Sequence, residues 1–178
     1  MVSASESPPR ESRLGAGCAR AVEFDLVDSV ATLRRRVEDD WQVLAQVSGV
    51  DGVSEAVAIG SKVYIALTRQ DEHVVSELWW ADCSQAGTAW GAIPLPEPLL
   101  SPQLHGFAQH VYLLDAMPRW HQPDLAVVLR IGADAGIHTL RPCPAGHWPM
   151  DLAHRQGALM VNCWNGGNGP QSSVDLEN

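Results

Sequence analysis

One stretch of the chain returns after 48 positions, and this repeat constrains the fold more than any other sequence feature. Residues 57–65 (VAIGSKVYI) correspond to residues 105–113 (HGFAQHVYL), with a Val-Tyr pair at the same place in both copies. Trp41 precedes the first copy and Trp90 precedes the second by a similar interval. A period of about 50 residues accommodates four short β-strands. We therefore expect a repeated four-stranded unit.

The composition after Trp41 is typical of strands, because short runs rich in Val, Ile, Tyr and Trp alternate with Gly, Pro, Asp and Ser. The four prolines between the two copies exclude a helix there. The predicted strands span residues 41–47, 54–59, 63–68, 74–82, 89–95, 104–108, 111–116, 125–131, 136–140 and 158–164.

A short helix is predicted before the repeats, over residues 22–38. Phe24, Val27, Val30, Leu33 and Val37 recur at steps of three or four residues, as they would on the apolar face of a helix. Acidic residues lie near the start of this segment and arginines nearer its end, an order that complements the helix dipole.

The expected domain organisation is one β-rich domain over residues 21–164 between two tails. Residues 1–20 are polar and interrupted by proline and glycine, which predicts a disordered tail. Within the domain the repeats span residues 41–90 and 90–148, with a partial third copy over 149–164. The glycine-rich segment 165–178 is expected to be a flexible tail.

The order of a Trp strand, an apolar strand, a Val-Tyr strand and a Leu-Trp strand resembles the blades of kelch-type β-propellers. In that family a Val-Tyr pair lies in an inner strand and a later tryptophan packs between blades. Here Val63-Tyr64 is followed by Trp90, and Val111-Tyr112 by Trp148. The resemblance implies a mostly β fold of about two to two-and-a-half propeller-like four-stranded blades, preceded by the short helix.

The kelch signature is incomplete, since Ala66-Leu67 and Leu114-Asp115 stand where that family carries Gly-Gly. A closed propeller also needs about four to eight blades. The alternatives are a fragment, a truncated paralogue of a larger propeller, or a homo-oligomer that completes the sheet between copies. A small β-sandwich or an open mixed sheet is the competing fold.

Charge and targeting features narrow the partners and the location. The net charge of −9 repels phosphate backbones and anionic lipids, so neither nucleic acid nor a membrane is expected as a partner. No apolar run approaches the roughly 20 residues that span a bilayer, and the first residues lack a signal-peptide core, so a cytoplasmic location is expected. Cys18, Cys83, Cys143 and Cys163 are far apart in sequence and are expected to be free thiols.

Three tryptophans are the candidate binding residues. Trp79 and Trp80 are adjacent, so on a strand they point to opposite faces, and one of them could stack on a sugar ring or hold a partner side chain. The alternative is that neighbouring layers bury both. Trp120 lies in a predicted loop, where it could bind a ligand or close the loop as an apolar plug.

A metal site is an alternative, and no cofactor is expected. Cys143, His147, His154 and Cys163 offer two thiols and two imidazoles, which zinc prefers. Their spacing matches no familiar zinc motif, so buried thiols and surface histidines are the preferred interpretation.

No nucleophile elbow, P-loop, dinucleotide fingerprint or zinc-protease motif occurs in the sequence. The sequence therefore predicts a non-catalytic binding or interaction module of β-propeller type, with a protein or a carbohydrate as its partner. The alternatives are a hydrolytic enzyme built on a propeller-like sheet, with two converging carboxylates, and a truncated propeller paralogue that has no independent activity.

Overall fold

The chain folds into four antiparallel β-sheets, in a computed structural model that describes residues 22–54, 56–69, 74–84, 90–100, 102–115, 127–167 and 172–177. These residues contain strands and no helix, which confirms the mostly β class. None of them belongs to a helix that could cross a membrane.

The four sheets follow one another along the chain. The first sheet contains β1 (Val22–Val27), β2 (Val30–Val37) and β3 (Asp40–Ser48). The second contains β4 (Val50–Val53), β5 (Val57–Ile59), β6 (Lys62–Arg69), β7 (Val75–Asp82) and β8 (Gly91–Leu99). The third contains β9 (Pro102–Phe107), β10 (His110–Asp115), β11 (Val128–Ile131) and β12 (Ile137–Leu140). The fourth contains β13 (Trp148–Arg155), β14 (Ala158–Trp164) and β15 (Ser172–Asp175).

Each sheet is a meander in which strands that are adjacent in sequence pair side by side. The strands β4 and β5 of the second sheet both pair with β6, at its opposite ends. Between them, Ser54 donates its N–H to the Ala66 carbonyl, and its Oγ accepts the Ala66 N–H, both at 2.9 Å. The two therefore act as one interrupted strand, and the second sheet has four strand positions.

The predicted helix over residues 22–38 is wrong, because this segment is the hairpin of β1 and β2. Asp28 and Ser29 form its two-residue turn with φ values of 50° and 60°. A pair of left-handed residues matches the twist of the flanking strands. Of the five residues in the predicted stripe, Phe24 and Leu33 lie opposite each other across the hairpin and face the same core, whereas Val27 and Val37 are exposed.

Alternate side chains of the central strands pack on different neighbouring sheets. In β6, Val63 and Ile65 pack in the core between the first and second sheets, whereas Tyr64 and Ala66 pack in the core between the second and third. All four are almost completely buried. Both faces of this strand are covered, so its sequence is a continuous apolar run.

The same arrangement returns in the third and fourth sheets. Val111 of β10 packs against the second sheet, and Tyr112 packs against the fourth. Leu159 of β14 faces the third sheet, and Met160 follows it on the opposite face. Residues at a spacing of 48 therefore occupy matching positions in three successive sheets.

Each end of this stack presents one face that no other described sheet covers. On the first sheet this face carries Trp41 and Val43, which are 47% and 45% exposed. Beside them, Gln46 donates to Thr32 Oγ1 at 3.1 Å, and Arg34 pairs with Asp25 at 3.1 Å. The end face of the first sheet therefore mixes apolar side chains with paired polar ones.

Two further expectations are corrected by the last part of the chain. The segment 165–178 is not a flexible tail throughout, because residues 172–175 form β15 and pair with β14. Cys143 and Cys163 are not free thiols, because they form a disulfide with a Cα–Cα distance of 5.7 Å. This bond fixes the segment between β12 and β13 to the centre of the fourth sheet.

Candidate binding site

Trp79 lies on β7 with one side against the core between the first and second sheets. The guanidinium carbon of Arg69 lies 5.0 Å from the centre of its ring, and Arg69 also pairs with Glu77 at 3.8 Å. A cation at this distance interacts favourably with an indole face. A side chain of the same chain therefore already occupies one ring face.

Trp80 points to the opposite face, as predicted for adjacent strand residues, and packs against the core between the second and third sheets. Lys62 Nζ lies 4.3 Å from its ring centre. On the neighbouring strand, Gly91 lies so close that an added Cβ would come 2.6 Å from Trp80 Cζ2. This half-buried ring is thus held from several sides.

These contacts are of the kind expected from the alternative, in which both adjacent tryptophans pack against the core. Trp79 and Trp80 remain predicted binding residues. Trp120 lies outside the described residues.

A cluster of polar side chains lies between the third and fourth sheets, where the sequence pattern indicated no site. Its centre is Tyr112, which is fully buried on β10 and donates its hydroxyl hydrogen bond to a Glu177 carboxylate oxygen. His110 lies on the same face, with its Nδ1 3.9 Å from the same carboxylate oxygen. Arg130 of β11 is the cross-strand partner of Tyr112. We call Tyr112, His110, Arg130 and Glu177 the carboxylate site.

The electrostatics of the carboxylate site keep Tyr112 in its neutral form. Burial raises the pKa of Tyr112, and the hydrogen bond to Glu177 and its negative charge raise it further, while Arg130 opposes the shift. A neutral phenol is a permanent hydrogen-bond donor at physiological pH. Two buried nitrogens of this site, the donor Arg130 Nε and His110 Nδ1, have no hydrogen-bond partner among the described residues.

Glu177 reaches this site because the preceding segment is fixed by backbone hydrogen bonds. The strand β15 pairs with β14, and the N–H of Leu176 then donates to the Leu159 carbonyl at 3.0 Å. The N–H of Glu177 donates to Asp175 Oδ1 at 3.0 Å. A turn directly after the paired strand β15 therefore positions the carboxylate of Glu177.

Two histidines extend the polar cluster toward the edge of the sheets. His105 lies opposite Tyr112 on β9, and its ring centre is 5.5 Å from that of His154 on the fourth sheet. The ring centre of Phe107 lies 5.8 Å from that of His154. This side of the interface between the third and fourth sheets is therefore more polar than its aliphatic centre.

The outer face of the fourth sheet carries a second aromatic surface. Trp148 and Trp164 meet edge to face with ring centres 5.2 Å apart. Next to them a polar row crosses the three strands, in which Asn162 donates to Asp151 at 3.1 Å and Ser173 donates to Asn162 at 2.7 Å. Aromatic rings beside hydrogen-bonding groups are typical of surfaces that bind polar ligands.

The alternative of a Cys2His2 metal site lacks its two thiolate ligands in this structure. Zinc is bound by thiolates, and Cys143 and Cys163 are bonded to each other. Of the two histidines, His147 lies with its Nδ1 3.3 Å from the Ala145 carbonyl, and His154 lies against His105 and Phe107.

The carboxylate site could not be identified from sequence motifs. The Val-Tyr repeat marks Tyr112 as a repeated position, but as part of the core. Glu177 is 65 residues away, in a segment whose glycines indicated a tail. The alternation of apolar Val174 and Leu176 with polar neighbours was the one available signal, and four residues are too few to predict a strand.

No family model matches the chain, and no curated protein matches it.

Proposed function

We propose that this protein is a non-catalytic binding module, built from propeller-type blades, whose partner is a protein or a carbohydrate. The observation that carries the proposal is the carboxylate site. There a fully buried tyrosine hydroxyl donates to the carboxylate of a separate segment of the chain. An arrangement of this kind holds an acidic group in a fixed position on a rigid sheet.

The layering of the sheets supports the propeller-type interpretation. Four meander sheets of three to five strands follow one another, and each packs on the next through alternate side chains. Propellers repeat this layering around an axis, with about four strands in each blade. Val63 and Val111 take the same place in their sheets, as blade positions would.

The direction of the pKa shift of Tyr112 supports a hydrogen-bonding role for this residue over an acid–base role. A general acid or base works best with a pKa near the working pH, and the pKa of Tyr112 is raised away from neutrality, chiefly by burial. The pKa of Asp82 is lowered by hydrogen bonds from Ser84. A glycoside-cleaving pair would instead need a carboxyl group whose pKa is raised.

Charge and surface chemistry support the two partner classes. The net charge of −9 weighs against polyanionic partners. Trp148 and Trp164 beside a row of polar side chains would suit a carbohydrate. The groove that holds residues 172–177 would suit an extended peptide.

A cytoplasmic location stays a prediction, and the Cys143–Cys163 disulfide weighs against it. Disulfides persist in oxidising compartments and are rare in the cytosol.

The proposal is tested by measuring binding of the intact protein, over a range of concentrations, to a glycan array and an array of extended acidic peptides. We expect saturable binding to one of the two classes. Loss of glycan binding in Trp148→Ala, or of peptide binding in Tyr112→Phe, would assign the surface, with Trp41→Ala as a control on the opposite end face. The absence of binding to both arrays, or chemical conversion of the arrayed ligands, would overturn it.

A further inference from the structure

Residues 172–177 lie along the edge of β14 in the manner of a bound peptide. Four residue pairs, from Cys163 with Ser172 to Met160 with Asp175, join β15 to β14 in antiparallel register. The hydrogen bond from the Leu176 N–H to the Leu159 carbonyl continues the contact past the strand. This backbone pairing is independent of side-chain identity, as in recognition by strand addition.

Two side chains of this segment point into the interface between the third and fourth sheets. Val174 and Leu176 are partly buried and pack against the core formed by Tyr112, Val161 and their neighbours. They are two residues apart, so they share one face of the extended segment. Ser173 points to the opposite face of β15 and is exposed.

Glu177 adds a polar contact at the end of the groove. Its carboxylate accepts the hydrogen bond of the buried Tyr112 hydroxyl and lies 3.9 Å from His110 Nδ1. Its side chain keeps 30% of its surface exposed, so the site opens to solvent. The groove thus has two apolar positions, filled by Val174 and Leu176, and one carboxylate position, filled by Glu177.

The carboxylate site offers a donor that Glu177 does not use. Arg130 Nε is buried and lacks a hydrogen-bond partner among the described residues. A buried donor of this kind is costly when unsatisfied. A ligand whose carboxylate reached it would gain a contact that the chain's own segment does not make.

We propose that this groove is a receptor for an extended acidic peptide of a partner protein, with the pattern apolar-x-apolar-acidic. Residues 174–177 (VDLE) occupy it within the chain, and the partner peptide binds by displacing them. Displacement is feasible because β15 has four residues and, among the described strands, is an edge strand that pairs on one side. The inference rests on the proposed binding function and specifies a protein partner.

The internal segment reduces the apparent affinity for the partner, because the groove must be vacated first. The apparent dissociation constant equals the intrinsic value divided by the fraction of open molecules. Weakening the internal contact should therefore strengthen binding of the same peptide added from outside. A strand that never leaves the groove would show no such reciprocity.

The test uses a fluorescent synthetic peptide with the sequence of residues 172–178 (SSVDLEN), whose anisotropy is measured with the full chain. Glu177→Gln in the protein should bind it about ten-fold more tightly than the wild-type protein does. Glu38→Gln removes the same charge at an exposed turn remote from the groove and should bind as the wild type does. A peptide with Gln in place of its Glu should bind Glu177→Gln about ten-fold more weakly.

The inference is overturned if Glu177→Gln, shown to be folded by circular dichroism, binds the peptide no better than wild type. It is also overturned if the wild-type chain forms a concentration-dependent dimer that the peptide dissolves, because a second copy would then be the occupant of the groove. Glycan binding with no peptide binding would refute this inference and leave the proposed function standing.

Discussion

Tyr64 and Tyr112 hold the same position in successive sheets. Each lies in the strand that follows the first strand position of its sheet, each is almost fully buried, and each faces the next sheet along the chain. Their preceding valines, Val63 and Val111, face the previous sheet. The 48-residue repeat in the sequence is therefore a repeat of structural environment as well.

The two tyrosines are the only ones in the chain, which makes their ionisation directly observable. Burial raises the pKa of both above the ordinary value of 10.0. Because the folded state disfavours the phenolate, their contribution to stability is complete below pH 10.0 and is lost as the pH rises toward the folded-state pKa values. We expect phenolate absorbance to appear together with loss of near-ultraviolet circular dichroism. Gradual ionisation of a folded protein near pH 10.0 would contradict the burial.

Ser29→Gly should stabilise the protein by about 0.5 kcal/mol. A non-glycine residue in the left-handed region costs about 1–2 kcal/mol, which glycine avoids. Part of the saving is lost because glycine gives up more backbone entropy on folding. Ser29 has a φ of 60° in the turn between β1 and β2. The free energy of unfolding in urea measures the effect. Ser48→Gly, at an exposed position in β3, is the control and should destabilise. If Ser29→Gly also destabilises, the segment is not this hairpin.

Gly91→Ala should destabilise by about 1–3 kcal/mol, the usual cost of forcing an extra group into a filled space. Its Cβ would come 2.6 Å from Trp80 Cζ2, and that indole is held by Lys62 and the core. Gly52→Ala is the matched control, since its Cβ would meet Thr68 at an ordinary 3.6 Å. Urea denaturation of both variants should separate them. Equal stabilities would show that Trp80 is free to move.

Replacing both Cys143 and Cys163 by Ala should lower the free energy of unfolding by about 3 kcal/mol, the chain-entropy value for a closed loop of roughly this length. The two residues are 20 apart in sequence. Denaturation under non-reducing conditions measures the loss. Peptide mapping of the wild-type protein without reductant should yield a linked fragment that contains both cysteines. Recovery of both as free thiols from the oxidised protein would refute the bond.

The strands that are covered on both faces were the most predictable elements. β6 and β10 are continuous apolar runs between turn residues, and their predicted bounds agree with the structure to within one or two residues. The first hairpin was missed because residues on its two strands, when read as one segment, recur at helical steps. Its Asp28-Ser29 turn lacks the Asn-Gly or Asp-Gly pair that signals such a hairpin.

The candidate site was less predictable than the fold because it depends on long-range contacts. Adjacent Trp79 and Trp80 were expected on opposite faces, and they pack on different cores. The contact of Tyr112 with Glu177 has no local signature, since neither residue alone differs from many core tyrosines or surface glutamates. Only the register of β15 on β14 brings them together.

The serial order of the sheets also determines the order in which they can unfold. Each described core joins one sheet to the next along the chain, so the folding free energy is divided among nearest-neighbour interfaces, as in a linear array. A terminal sheet has one such interface, while an inner sheet has two. In mild denaturant, hydrogen exchange should therefore begin at the two ends of the array, and cooperativity should be lower than in a fold whose sheets share one common core.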